Sequence, residues 1–341
     1  MSRLGGLAAA ASLVALALLV ALAAFLSEQT AAVRVASRPF PAPLSQHFEN
    51  PALAGRVLVT GFRQPSALTV VQGRLFLLDA GNARVLELGR TGAVVRALGG
   101  LQTQGAVALA GDGNYLYVAD ARDSRILVLT PSGRVVRAIE LGAVEPADGP
   151  PPRPIGLAVD GRGDLFVSDA NSHRVLRLDS QGGVVWAAGR GGRGAGDGAF
   201  NTPGGLALDE VANVYVADIL NGRVVKLSQD GAFLQQFGRL GDTAGTLSRP
   251  KDVAVDRAGN VYVSDSLLTA VQVFDPAGKY LGFIGRQDPH DSHSRSLFQA
   301  PAGLEIVGDR LYVVDRFAGI FVFQLPAEQP RPAGLDLQQV D

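Results

Sequence analysis

The segment RPIGLAVDGRGDLFVSDANSHRVLRLDSQGGVVWAAG, residues 153–189, decides the fold of this chain. It contains four short apolar runs that are separated by turn residues such as Gly, Asp, Asn and Ser. The runs do not follow the 3.6-residue period of a helix. Four short β-rich runs in a row predict a four-stranded antiparallel meander.

The same arrangement recurs six times. The second run of each copy ends on an acid, in LFLLD, LYVAD, LFVSD, VYVAD, VYVSD and LYVVD, which end at Asp79, Asp120, Asp169, Asp218, Asp265 and Asp315. These acids are spaced by 41, 49, 49, 47 and 50 residues, a regularity that indicates a repeat architecture. The third residue before each acid is aromatic, at Phe76, Tyr117, Phe166, Tyr215, Tyr262 and Tyr312. We interpret these aromatic residues as a packing column between sheets.

Six four-stranded repeats predict an all-β, six-bladed β-propeller over residues 55–325, because radial repetition leaves no long free strand edge. The sixth repeat has three strands and ends at IFVFQL (Ile320–Leu325), after which Pro326 and a polar tail follow. The segment GRVLVTGF (Gly55–Phe62) precedes the first repeat, in the place of a fourth strand. We predict that this N-terminal strand completes the sixth blade and closes the ring.

These residues carry a family resemblance. The pattern P-x-G-[LI]-A-V-D, then Y-V-x-D, then N-x-R-V resembles the NHL repeat, and the third and fourth copies match it best. The resemblance covers residues 55–325 and implies the six-bladed fold. It leaves the function open, since NHL propellers serve binding, scaffolding, sensing and a few enzymatic tasks. The chain also resembles the extracellular propellers of some bacterial receptor kinases, although it has no kinase domain.

The resemblance implies an Arg five residues after each strand-end Asp. Four copies supply it, at Arg84, Arg125, Arg174 and Arg223, whereas the fifth and sixth copies carry Ala270 and Ile320. A buried carboxylate requires a partner, so we interpret each Asp and Arg as a pair that holds the intervening loop.

Residues 1–26 are predicted to be a membrane anchor or a signal segment. Leu4 to Leu26 contains no charge and, as a helix, would span about 34 Å, enough to cross a ~30 Å hydrocarbon layer. An uncleaved N-terminal helix would place the propeller outside the cytoplasm at the cell membrane, and a cleaved one would leave it secreted or periplasmic. Residues 27–54, with Pro41, Pro43 and Pro51, are predicted to be a linker, and residues 326–341 a polar C-terminal tail.

Composition argues against several classes of function. The chain has 31 basic and 32 acidic residues, so we expect no nucleic-acid partner. It has no Cys, which excludes disulfides and thiolate metal sites. Nucleotide-binding and nucleophile-elbow motifs are absent, and we predict no cofactor. The resemblance also extends to amidating lyases, which carry zinc-binding His directly after the inner-strand Pro. Here those positions are Ser66, Ile155, Gly204, Lys251 and Ala302, so that zinc site is not expected.

A candidate binding surface lies in the loops between the second and third strands of repeats four to six. Two residues after the Asp, these repeats have Leu220, Leu267 and Phe317, with Ile219 and Leu268 beside them, and the first three repeats have Gly81, Arg122 and Asn171. If the side chains are exposed, they form an apolar patch of the kind used for binding, and if the inter-blade loops cover them, they are core. We expect the partner to be another protein or a small extracytoplasmic ligand.

The predicted channel mouth carries Lys251, Asp252 and Glu305 on inner strands that are otherwise built from small residues. Two carboxyl groups could bind a polar ligand or act as acid and base in a lyase or hydrolase, or they could be solvated in a wet channel. The sequence therefore favours an extracytoplasmic binding or scaffolding propeller, and an enzyme at the channel mouth is the alternative.

A weaker candidate for a metal site is the polar loop Asp288–His293. His290, Asp291 and His293 offer imidazole and carboxylate ligands, but their spacing matches neither a helix nor a strand. His173 is interpreted as a structural loop residue.

Overall fold

The computed structural model describes residues 53–57, 62–89, 92–98, 101, 104–144, 150–189, 192–285 and 296–325, with the first of these ranges described for its backbone only. The described chain forms six four-stranded antiparallel sheets. Each inner strand contacts the inner strands of its two neighbours, and the sixth blade contacts the first, so the blades surround a central channel. The predicted six-bladed all-β propeller is therefore confirmed.

The strands follow the order of the sequence within each blade. Blade 1 consists of β2 (Pro65–Val71), β3 (Arg74–Asp79), β4 (Arg84–Leu88) and β5 (Val94–Leu98). Blade 2 consists of β6 (Ala106–Gly111), β7 (Leu116–Asp120), β8 (Arg125–Leu129) and β9 (Val135–Glu140). Blade 3 consists of β10 (Pro154–Val159), β11 (Leu165–Asp169), β12 (Arg174–Leu178) and β13 (Val184–Ala188).

The other half of the ring repeats this pattern. Blade 4 consists of β14 (Pro203–Leu208), β15 (Val214–Asp218), β16 (Arg223–Leu227) and β17 (Phe233–Phe237). Blade 5 consists of β18 (Pro250–Val255), β19 (Val261–Asp265), β20 (Ala270–Phe274) and β21 (Tyr280–Ile284). Blade 6 contains β22 (Pro301–Val307), β23 (Arg310–Asp315) and β24 (Gly319–Gln324).

A strand from before the first repeat lies beside blade 6. Strand β1 (Leu53–Val57) is antiparallel to β24, with Gly55 opposite Val322 and Val57 opposite Ile320. The strand predicted to complete blade 6 was Gly55–Phe62, and β1 overlaps it at Gly55–Val57. Residues 58–61 lie outside the described ranges.

Helices are short in the described part of the chain. Two 3-10 helices, Ala80–Asn82 and Leu141–Val144, accompany the strands. Among the described residues, no helix has the length and apolar character needed to cross a membrane. The predicted anchor Leu4–Leu26 lies outside these residues, as do the predicted linker up to residue 52 and the tail from residue 326.

The aromatic column packs between blades, as predicted. Phe76, Phe166 and Tyr262 are fully buried, Tyr117 and Tyr215 are almost so, and Tyr312 packs at the edge of an apolar cluster between blades 6 and 1. The buried tyrosines keep a polar partner for the hydroxyl: Tyr262 donates to Asp256 Oδ2 at 3.0 Å. Each ring thus fills the space between two sheets without leaving a buried polar group unsatisfied.

The strand-end acids hold the loops of one face, which we call the loop face. On the loop face, the first residue of each inner strand lies opposite the strand-end Asp of the same blade. This first residue is a Pro, as in Pro250 opposite Asp265, except in blade 2, where it is Ala106. The four predicted Asp–Arg pairs form, with Nε to Oδ2 distances between 2.8 and 3.1 Å. The fifth and sixth blades replace the Arg by backbone donors, because Asp265 and Asp315 each accept four backbone N–H groups.

Candidate functional site

The central channel opens at the loop face into a cavity of about 600 Å³. Its walls are the six inner strands, whose side chains are mostly small, such as Ala108 and Gly156. This volume lies within the range of small-molecule sites, which is roughly 300 to 1,000 Å³. Lys251, Asp252 and Glu305 all line this cavity, so the structure brings the three predicted channel residues together.

A β-bulge near the start of β18 turns Lys251 toward the mouth. The register shifts between Pro250 and Asp252, and every other inner strand shows a shift at the same place. The bulged residue is an extra residue in the strand, so it is re-aimed relative to its neighbours. Burial and the nearby guanidinium groups of Arg249 and Arg316 lower the pKa of Lys251 to about 8.

Asp252 is held between blades 4, 5 and 6. Its Oδ1 accepts the N–H of Val253 at 2.9 Å, and its Oδ2 accepts the N–H of Leu304 on the neighbouring inner strand at 2.9 Å. Blade 4 makes room for this carboxyl group with Gly205, where a Cβ would lie 1.9 Å from Asp252 Oδ1. Burial raises the pKa of Asp252 to about 7, although the two N–H groups act in the opposite direction.

Glu305 lies on the next inner strand, near the side chain of Thr69 from blade 1. Burial and, secondarily, the Asp252 carboxylate raise the pKa of Glu305 to about 8. Both carboxyl groups are therefore largely protonated below pH 7, and the pair can exchange protons near neutral pH. Both side chains are half-buried and line the cavity, so the wet-channel interpretation and the acid–base interpretation both stay predictions.

These shifts predict that the stability of the protein falls as the pH rises. A carboxyl group with a raised folded-state pKa binds its proton more tightly when folded, so its contribution to stability is lost between the unfolded pKa near 4 and the folded pKa near 8. The Glu305→Gln variant lacks this pH-dependent contribution. We therefore expect the free energy of unfolding of the variant minus that of the unsubstituted protein to be greater at pH 9 than at pH 5, by on the order of 2 kcal/mol.

Urea unfolding at the two pH values measures this difference. Glu140→Gln is the matched control, because the Glu140 side chain is exposed on an outer strand. A Glu305→Gln protein that keeps the same stability difference at both pH values would show that Glu305 is ionised and solvated in the folded state.

The apolar side chains of the candidate binding surface divide into two groups. Leu220, Leu267 and Phe317 are exposed by 50, 59 and 66%, so the inter-blade loops do not cover them. Ile219 and Leu268 are buried, and this corrects their placement in the binding surface. Alternate residues of a tight loop face opposite sides, so the neighbours of exposed residues pack inward: Ile219 contacts the channel wall at Gly204, and Leu268 packs on Phe283.

The structure does not test the candidate metal site in the loop Asp288–His293. His290, Asp291 and His293 lie outside the described residues, and no group of three potential metal-ligating side chains occurs within them. His173 has the structural role predicted for it, since its Nδ1 accepts the backbone N–H of Thr202 at 3.0 Å.

Several residues of the mouth were not identified from the sequence. Arg153, Arg249 and Arg316 line the same cavity as Lys251. Arg153 and Arg249 directly precede the inner-strand Pro, and three other copies have Gln64, Thr202 and Ala300 at this position. Arg316 directly follows the strand-end Asp of the sixth copy. A comparison of the copies at these flanking positions could have found them.

Comparison with known proteins supports the fold. The NHL repeat family matches residues 152–178, in agreement with the resemblance of the third copy. No curated protein matches the chain. A gluconolactonase from Xanthomonas campestris is similar in structure, with 18% identity, a TM-score of 0.60, and coverage of 85% of this chain and 95% of that one.

Other solved structures share the architecture. A virginiamycin B lyase from Staphylococcus aureus is 12% identical, with a TM-score of 0.56 over 79% of this chain and 97% of that one. A chain of a nidogen/laminin complex is 16% identical, with a TM-score of 0.53 over 71% of this chain and 87% of that one. At these identities the similarity shows the fold alone, and enzymes and an interaction protein share it.

Proposed function

We propose that this protein is an extracytoplasmic binding propeller that contacts a partner protein through the loop face of blades 4 to 6. The observation that carries the proposal is the exposure of Leu220, Leu267 and Phe317 at equivalent positions of three consecutive blades. Monomeric proteins seldom expose large apolar side chains in such a group without a use, and such patches commonly bind other proteins.

The proposed location rests on the sequence. Leu4 to Leu26 is 23 residues without a charge, long enough for one membrane-spanning helix. Arg3 and the terminal amine would keep its start in the cytoplasm, so the propeller would lie on the opposite side of the membrane.

Ring closure by the N-terminal strand is part of the same proposal. Blade 6 has three strands of its own repeat, and in this proposal β1 would be the fourth strand, beside β24. Joining the two ends of the repeat array in one sheet would hold the ring shut and keep the loop face rigid.

The proposal predicts that three serines abolish partner capture without unfolding the protein. Leu220→Ser, Leu267→Ser and Phe317→Ser together remove the exposed apolar surface, and each surface change is expected to alter stability by no more than ~0.5 kcal/mol. Crosslinking in intact cells followed by mass spectrometry measures capture, and thermal unfolding measures stability.

The control removes the same kind of surface elsewhere. Val185→Ser, Val211→Ser and Leu234→Ser replace three other exposed apolar side chains and should leave capture intact. If both triple variants crosslink to the same proteins as the unsubstituted chain, the loop face of blades 4 to 6 is not the binding surface.

The carboxyl pair favours a second candidate, an enzyme of the lyase or hydrolase class. Asp252 and Glu305 share one cavity, and their pKa values of about 7 and about 8 suit general acid and base chemistry at neutral pH. Among the similar structures are a gluconolactonase and a virginiamycin B lyase. Hydrolysis of gluconolactone by the full chain, lost in Asp252→Asn and Glu305→Gln, would favour this candidate over pure binding.

A further inference from the structure

The mouth of the central cavity is lined by four cationic side chains. Arg153 comes from blade 3, Arg249 and Lys251 from blade 5, and Arg316 from the loop of blade 6. They reach the same opening from separate parts of the chain, because each lies next to an inner-strand start or a strand-end acid on the loop face.

Among the described residues, these four cations have no carboxylate paired with them. The arginines that hold loops and sheets form ion pairs, such as Arg174 with Asp169 and Arg177 with Asp164. Across the described ranges, no ion pair involves a cation of the mouth, and no side-chain hydrogen bond does either.

Four described acids near the mouth take part in other contacts. Asp265 and Asp315 accept four backbone N–H groups each, and Asp252 accepts two. Glu305 lies two residues further along its inner strand than the position equivalent to Asp252, near Thr69. Each oxygen of Asp265 and Asp315 thus already accepts two backbone N–H groups, as many as a carboxylate oxygen has lone pairs.

Arg153, Arg249 and Arg316 are exposed, whereas Lys251 is partly buried in the cavity wall between other cations. The guanidinium groups of Arg249 and Arg316 repel the Lys251 ammonium group, and a bound anion would relieve this repulsion.

We infer that the loop-face mouth is a binding site for a small organic anion that carries a carboxylate or phosphate group. A planar guanidinium group can donate two hydrogen bonds to one carboxylate or phosphate group, and Lys251 adds a point charge. Ile155, Ile219 and Leu220 line the same cavity and provide apolar contacts for the rest of the ligand. A cavity of about 600 Å³ suits a small molecule better than a polymer. The inference goes beyond the proposed function, since it needs no partner protein.

Calorimetric titration of the full-length protein in detergent tests the inference. The probes are phenyl phosphate, benzoate and inorganic phosphate, with a single-stranded oligonucleotide as the polyanion. We expect at least one of the two aromatic anions to bind more tightly than inorganic phosphate, and the preference between phenyl phosphate and benzoate identifies the acidic group. Arg249→Gln with Arg316→Gln should weaken this binding at least tenfold, and Lys251→Met should weaken it by a similar factor.

Arg257→Gln is the matched control for charge. Arg257 is exposed on blade 5 in the turn between β18 and β19, at the opposite end of the same inner strand, and its loss should change affinity less than twofold. Three results would overturn the inference: no binding of any small anion, equal weakening by Arg257→Gln, or binding of the oligonucleotide alone. Leu220 belongs to both proposed sites, but none of these variants changes it, and titration with small anions does not measure partner capture, so the two proposals fail separately.

Discussion

Deleting residues 53–57 is expected to lower the free energy of unfolding by about 4 kcal/mol and to make the protein aggregate. Strand β1 pairs with β24 at four positions, and each backbone hydrogen-bonded position contributes roughly 1 kcal/mol. The deletion also exposes the edge of β24, and unpaired edges recruit strands from other chains. Chemical denaturation and size-exclusion chromatography measure the two effects.

Removing the tail provides the control for this deletion. Residues 327–341 follow the last strand of blade 6, and their loss is expected to change stability by less than ~0.5 kcal/mol. Equal stability and solubility of the two deletion variants would contradict ring closure by β1.

Asp218→Ala is expected to destabilise the protein by about 3 to 5 kcal/mol, since it leaves a buried guanidinium group without its carboxylate. Arg223 is only 6% exposed and donates to Asp218 Oδ2 at 2.9 Å. Burial raises the pKa of Asp218 even with Arg223 beside it, which indicates how strongly this site is desolvated. Urea unfolding at pH 7 measures the loss.

Asp79→Ala is the matched substitution in blade 1. Its partner Arg84 is 38% exposed, so water can solvate the guanidinium group once the carboxylate is gone. We expect Asp79→Ala to destabilise the protein by less than half as much as Asp218→Ala. Equal losses for the two variants would mean that the backbone contacts of the Asp, and not the buried charge pair, account for its contribution.

The repeat made the scaffold predictable. A residue at a fixed position in six copies has the same surroundings in each blade, so the aromatic column and the Asp–Arg pairs could be placed without coordinates. The departures from the repeat were also visible: the missing Arg of copies five and six, and the carboxyl groups of Asp252 and Glu305.

The charge state of the channel could not be predicted from the sequence. Asp252 occupies its position because Gly205 of one neighbouring blade lacks a Cβ and because Leu304 of the other donates an N–H. Each of these residues belongs to a different repeat, and only the closed ring brings them together. Their contact and the burial that accompanies it set the raised pKa.

By itself, the sequence determined the six blades, their strand order and the packing column, since these depend on short-range periodicity that repeats from copy to copy. Only the tertiary structure decided that Leu220, Leu267 and Phe317 are exposed while Ile219 and Leu268 are buried, and that four cations share one mouth. The physical reason is that exposure and charge compensation depend on neighbours that are close in space and distant along the chain.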